Sequence, residues 1–305
     1  MNNKVKAGIS ITLLFAIGFT FWSLVSTFRA KRAAQRERDR IASQKKFEET
    51  KVTLIEGRTN QEFYATLEKL RLGTAADYRA AELRVKSGDY EVLEDRPAKA
   101  DLQGFLFPDT YRFAATATPA EVLAILLQTF TTKFSQANEG VTKKAGYYLL
   151  PGYEHYTDNK RIAPGLTAFE LVTLASIVEK ETGRVGESAT SERLLEERRT
   201  VVGIFLNRLA QNMPLQSDAT VNFVTKAGLA SPTLDQTKVD SPYNTYKYAG
   251  LPPGPIANVS YSSLYAVFHP IKTNYLYFLH EQTNGEVYYA EDYDRHLRNK
   301  QKYLK

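Results

Sequence analysis

Residues 167–183 read TAFELVTLASIVEKETG, and the fold class turns on them. Thr167 with Glu170 three residues later forms a capping box, and Gly183 is a natural stop, so the spacing predicts a helix from Ala168 to about Thr182. Leu171, Leu174, Ile177 and Val178 make one apolar stripe that Phe169, Val172 and Ala175 widen. At ~100° per residue, Glu181 lies ~20° from Leu174 and ~40° from Ile177, whereas Glu179 lies ~160° from Glu181. Glu181 is therefore expected on the buried face and Glu179 off it. Desolvation against Leu and Ile and the partial negative charge of a helix C-terminus both raise a carboxyl pKa, the property a general acid needs near neutral pH. The helix alone equally allows a terminal glutamate that emerges into solvent.

Downstream, a second helix is expected from about Ser191 to Ala210. Leu194, Leu195, Val201, Val202, Ile204, Phe205 and Leu209 would form its core face, and Glu192, Glu196 and Glu197 a solvated one. A loop region dense in Pro, Asn, Thr and Tyr follows, from Met213 to Val259. It contains QSDAT (Gln216 to Thr220), SPYNTY (Ser241 to Tyr246) and GLPPGPIAN (Gly250 to Asn258). Amphipathic rings stack on sugar faces while amides and carboxylates bond hydroxyls, so these side chains suit glycan recognition. An irregular surface loop is the plain alternative. YLYFLH (Tyr275 to His280) and EVYYA (Glu286 to Ala290) flank Asn284-Gly285 and predict a hairpin.

Upstream, Pro119 to Phe134 reads as a helix and Gly146 to Pro164 as a Gly/Pro/Tyr-rich connection. Val52 and Leu54 before Gly57 read as a strand and turn, and Asn60 to Leu72 as a helix. A boundary near residue 100 is expected.

The N-terminus differs in kind. Ala7 to Phe28 carries no charge over 22 residues, enough at ~1.5 Å per residue for the ~30 Å hydrocarbon core of a bilayer. The run exceeds the h-region of a signal peptide, and no small-x-small site precedes Arg29, Lys31 and Arg32, so an uncleaved anchor is expected. Residues 29–50 read as a charged helical stalk with pairs such as Glu37 with Arg40. The chain has 305 residues and a formal net charge of +6, but residues 1–51 hold eleven basic and four acidic side chains, which leaves 29 against 30 for 52–305. The basicity belongs to anchor and stalk, so nucleic acid is not an expected partner of the main domain. With no Cys, and with His155, His269, His280 and His296 outside any HExxH spacing, neither a thiol nucleophile nor a metal or cofactor is expected.

ASIVEKETG, IFLNRL (Ile204 to Leu209), MPLQSDATV (Met213 to Val221), SPYNTY, AGLPPGPIAN, HPIKTNYLYFL (His269 to Leu279) and GFLFPDTYRF (Gly104 to Phe113) occur in an order that resembles the YceG-like, endolytic murein transglycosylase family. Similarity at VTLIEGRTNQEF (Val52 to Phe63) is weaker. The resemblance implies an α+β protein: an anchor at 1–28, a stalk at 29–50, a truncated LysM-like strand and helix unit at 51–100, and a mixed α/β catalytic domain at 101–305. It implies a bacterial inner-membrane enzyme that cuts the MurNAc-GlcNAc β-1,4 bond of nascent glycan strands to leave 1,6-anhydro-MurNAc ends, with peptidoglycan synthases as partners. The family's catalytic glutamate falls at Glu181, and Gln216, Ser217, Asp218, Tyr243, Asn244 and Tyr246 would line the glycan cleft. Gln103 stands where the family usually has Glu, Ala219 and Val259 where it has Pro; Gln103 would remove a possible second carboxylate.

Two other readings stand beside this one. A muramidase would use Asp218 or Glu187 to assist Glu181, since hydrolases need a second carboxylate. A membrane-anchored scaffold would bind glycan without turnover. Charge counting places the bulk of the chain in the cytoplasm, but large domains translocate despite flanking charge, and the implied substrate puts it outside with the N-terminus inside.

Overall fold

The structure is a computed structural model, which describes residues 26–40, 48–153, 156–158, 161–163, 165–182, 191–226, 232–281 and 285–304. Most of the expected anchor, Ala7 to Phe28, lies outside these residues, as do Gly183, Glu187 and Asn284. Among the described residues no helix is long and apolar enough to cross a membrane.

Contacts divide the chain into two units, Met1–Thr50 with Arg112–Thr116, and Lys51–Tyr111 with Ala117–Lys305. In the first, residues 26–40 form the exposed helix α1, held by local charge pairs rather than by burial. The Glu37–Arg40 pair expected from the sequence is present at 2.8 Å.

The remaining elements begin with β1 (Glu49–Thr53), whose strand partner is β2 (Thr110–Ala114). Between them lie α2 (Asn60–Lys69) and α3 (Ala75–Glu82), and after them α4 (Pro119–Ala137). Thr59, Thr74 and Thr118 each cap one of these helices in a reciprocal box with Glu62, Asp77 and Glu121. Two short hairpins follow, β3 (Lys143–Lys144) with β4 (Tyr147–Tyr148), and β5 (Tyr156–Asp158) with β6 (Arg161–Ala163).

The centre of the second unit is α5 (Ala168–Thr182), with the Thr167–Glu170 box in place at its start. It packs on α6 (Glu192–Ala210), α7 (Asp218–Thr225) and α8 (Tyr261–Phe268). Leu171, Leu174, Ile177 and Val178 are buried, but so are Thr173 and Ser176 on other faces. Their hydroxyls donate to the carbonyls of Phe169 and Thr173 within the helix, and Ser176 accepts the Ile256 N–H at 2.9 Å.

Two glutamates expected to face solvent, one on α5 and one on α6, are instead buried. Glu179 is buried, because α6 and α8 cover the face assigned to solvent; Arg198 of α6 meets it at 2.9 Å. Glu197 is also buried, and its Oε1 lies 2.8 Å from His280 Nε2. His280 belongs to β7 (Tyr277–His280), which pairs antiparallel with β8 (Val287–Ala290), and α9 (Tyr293–Tyr303) packs on that hairpin.

Asn258 joins the segment after β1 to the segment before β2. Its Oδ1 accepts the Gly104 and Leu106 N–H groups at 3.1 and 3.2 Å, its Nδ2 donates to Asn60 Oδ1 at 2.8 Å, and its backbone pairs with Gly57 and Arg58. Gly104 is required there, since at φ +91° a Cβ would stand 2.5 Å from Pro255. Asn258→Ala strands two buried N–H donors, each costing ~1–3 kcal/mol. The expected outcome is a loss of about 3 kcal/mol, read as a melting temperature lower by roughly 10 °C.

Candidate active site

Glu181 sits in the last turn of α5; the residue is partly exposed and its carboxyl is desolvated. Ser217 Oγ donates to Glu181 Oε1 at 2.5 Å. Ser217 occupies the N-cap position of α7, a helix inside the stretch expected to be loop. Eight residues rich in β-branched Thr and Val favour a helix weakly, which is why the periodicity missed it; Ser217-Asp218 was the available start signal. The Ala219 backbone N–H also reaches the Glu181 carboxylate. Proline, which the family resemblance expects at this position, would have no N–H to give.

Burial raises the Glu181 pKa above its ordinary value. The Ser217 hydrogen bond opposes that, the Asp218 carboxylate adds to it, and His280 and the Ala219 N–H oppose it. The C-terminus of α5 and the N-terminus of α7 meet at this carboxyl with dipoles of opposite sign, so the two helix ends oppose each other there.

The SPYNTY segment holds α7 in place. Ser217 N–H donates to Thr245 Oγ1 at 3.0 Å, Gln216 N–H to the Thr245 carbonyl at 3.0 Å, and the Thr220 and Thr245 hydroxyls share a 2.8 Å bond. Tyr246 donates its hydroxyl to Asp218 Oδ1 at 2.5 Å, and burial followed by that contact raises the phenol pKa. Gln216 is exposed at φ +53°, a left-handed conformation costing a non-glycine residue about 1 kcal/mol or more. Asn244 is fully buried, its amide donating to the Thr237 and Val239 carbonyls and accepting the Tyr246 N–H, so it shapes the loop that carries its tyrosine neighbours. Tyr243 stands further along α7, its ring 5.0 Å from Phe223.

Of the expected cleft residues, Ser217 contacts Glu181 directly, while Asp218 acts on it electrostatically and holds Tyr246. Gln103 is elsewhere: it is buried, accepts the Asn60 N–H at 3.0 Å, and lies with Asn60 and Glu82. Sequence reasoning missed Arg208, whose guanidinium bonds the Pro214, Leu215 and Leu276 carbonyls and lies 5.1 Å over the Tyr277 ring. It ties α6 to β7 and to the strand of chain that delivers Ser217. Among the described residues no group of three or more His, Cys, Asp or Glu could hold a metal.

The charges around Glu181 make its titration adjustable in both directions. If the protonated carboxyl is the working form, kcat/KM falls as pH rises past its pKa. Asp218→Asn removes a charge that raises that pKa and is expected to move the alkaline limb to lower pH. Ala219→Pro removes a donor that lowers it and is expected to move the limb to higher pH. Full pH profiles of both variants check the signs.

The Glu181 carboxyl, held toward its protonated form by burial and by the Asp218 charge and facing hydroxyl, amide and phenol groups, has the chemistry to give up a proton and take it back. The chain belongs to the YceG-like family, whose description it matches over residues 26–302. It is 35% identical over 206 residues to a Bacillus subtilis protein named endolytic murein transglycosylase, covering 68% of this chain and 49% of that one. A Streptococcus pneumoniae protein of the same name is 32% identical over 212 residues, covering 68% of this chain and 33% of that one. The chain thus spans about half, or a third, of the length of these relatives. A crystal structure of a yceG-like protein from Listeria monocytogenes superposes with a TM-score of 0.63 at 26% identity, covering 81% of this chain and 75% of that one.

Proposed function

We propose that the protein is an endolytic peptidoglycan lytic transglycosylase with Glu181 as its acid and base. The observation that carries this reading is the state of the carboxyls: Glu181 is desolvated and partly exposed, whereas its neighbour Asp218 is engaged by Tyr246. Hydrolysis calls for a second working carboxylate, but an internal nucleophile does not. Protonated Glu181 gives its proton to the glycosidic oxygen as the bond from MurNAc C1 to the GlcNAc 4-oxygen breaks. The MurNAc C6 hydroxyl closes on C1, and Glu181, now a carboxylate, takes the hydroxyl proton. The products are a GlcNAc 4-hydroxyl and a 1,6-anhydro ring, with no water consumed and the enzyme's proton restored. Gln216, Ser217, Asp218, Tyr243 and Tyr246 would line the glycan path, with Asn244 fixing the loop behind them.

Residues 7–28 would anchor the chain in the plasma membrane with the N-terminus inside. The charged stalk of residues 29–50, helical over its described residues up to 40 and entering β1 at Glu49, would extend beyond the membrane, and residues 51–100, the LysM-like part, would lead into the catalytic region at 101–305 on the outer face. A peptidoglycan synthase supplying nascent strands is the partner this arrangement suits. Mass spectrometry of purified uncrosslinked glycan after digestion tests the chemistry: anhydro ends are expected, and reducing ends heavier by one water would establish a muramidase instead. Because the chain has no Cys, a single Cys placed near residue 300 reports topology. Labelling of spheroplasts by an impermeant thiol reagent is expected; labelling only after lysis would overturn the location.

A further inference from the structure

Away from Glu181, Lys99, Asp101, Phe169, Tyr243, Pro253 and Pro255 enclose a cavity of about 160 Å³. It exists because residue 254 is glycine: a Cβ there would stand 3.2 Å from Phe169 Cζ and 3.3 Å from the Tyr243 hydroxyl. Its lining is mostly polar, from Lys99, Asp101 and Tyr243, with apolar surface from Pro253, Pro255 and the Phe169 ring, which stacks on Phe105 at 6.0 Å. The Tyr243 hydroxyl makes no hydrogen bond among the described residues, and Asp101 commits one oxygen to the Gln103 N–H at 3.0 Å. A phenol, a carboxylate and an ammonium beside a smaller proline and phenyl surface match the hydroxyl and acylamino substituents of a pyranose ring and part of its apolar face. The volume suits a single ring and is too small for a nucleotide or a folded peptide.

The cavity is joined to Glu181 by the SPYNTY segment, which runs beside α7. Tyr246 stands at Asp218 in the first turn, and Tyr243 stands at Phe223, ~8 Å further along the helix. Phe169, at the opposite end of α5 from Glu181, is ~18 Å away by helix rise. An extended strand cut at Glu181 would therefore reach the cavity with a ring beyond those flanking the scissile bond.

We infer that the cavity bounded by Lys99, Asp101, Phe169, Tyr243 and Gly254 is a remote saccharide subsite, which holds one ring of the same glycan strand and makes cleavage depend on strand length. The inference rests on the glycan-cleaving reading proposed for Glu181. Gly254→Ala narrows the cavity, and Lys99→Met with Asp101→Asn blunts its rim; thermal melts establish that each variant is folded. On fractionated long uncrosslinked strands, KM is expected to rise about fivefold to tenfold, the loss of one or two ordinary hydrogen bonds. On a tetrasaccharide that spans only the scissile bond, the same variants should match the parent. Binding of both substrates to Glu181→Gln protein carrying each change gives the same ratio without turnover. Equal effects on long and short substrates, or none on either, would overturn the subsite while leaving the reaction intact. Absence of anhydro ends from the unmodified protein on long strands would remove the reading on which it rests.

Discussion

Glu181→Gln is expected to lower turnover of uncrosslinked glycan by ~10³-fold or more, because it removes both proton transfers and not one. Fold is the obvious confounder, and the electrostatics supply an internal control. The native Glu181 pKa lies above its ordinary value near 4.5, so between those two values the folded state holds more protons than the unfolded state. Stability then falls as pH rises through that window and stays lowered above it. Glutamine cannot ionise, and its amide oxygen still accepts the Ser217 hydroxyl. The variant should therefore melt at the same temperature as the parent or higher at neutral pH, with the difference vanishing below about pH 4. Inactive protein with an undiminished melting temperature is the expected pair of results. Full activity in this variant would dismiss Glu181 as the acid, and a melting temperature that drops at neutral pH would contradict its raised pKa.

The same residue shows how far the sequence could be read. The start of α5 was legible because it is local: Thr167 and Glu170 cap each other, and the apolar run that follows is too regular for another element. Glu181 stood out because a carboxyl three and a half turns into such a helix is a local anomaly. The state of that carboxyl was not legible, since it depends on Ser217, Asp218 and Ala219, some 36 residues away, and on a helix too short and β-branched to announce itself. Glu179 failed in the opposite way. The helical wheel assumed one buried stripe, but α6 and α8 close over the second face, and the cation that makes this tolerable is Arg198, nineteen residues on. Periodicity reports how many apolar faces a helix has; it does not report a polar face that another element has matched.

That matched face yields the largest expected effect on stability. Arg198 is 2% exposed as a side chain and Glu179 3%, and every group of the pair is used. The guanidinium donates to Glu179 Oε1 at 2.9 Å, Thr182 Oγ1 at 3.1 Å, Ser260 Oγ at 2.8 Å and Ser262 Oγ. Glu179 Oε2 accepts the Ser260 N–H, the Ser260 hydroxyl and the Ser263 hydroxyl at 2.9, 2.6 and 2.7 Å. Arg198→Met fills similar volume but leaves a buried carboxylate without its cation, which costs ~3–5 kcal/mol. In a unit of this size the melting temperature should fall by about 10–15 °C. Adding Glu179→Met removes the stranded charge and should recover part of the loss. Full recovery is not expected, because Ser260 and Ser263 then lose their acceptor, at ~1 kcal/mol or more each. Circular-dichroism melts of the two single variants and the double variant measure the coupling; additive losses would show that the pair does not act as a unit. The consequence reaches the active site through geometry. Three of the partners, Thr182, Ser260 and Glu179, fix the rotation of the last turn of α5 against α6 and α8, and that rotation points Glu181 at Ser217. Below its lowered melting temperature, Arg198→Met is accordingly expected to lose kcat more than KM, since substrate contacts persist while the acid is held less firmly.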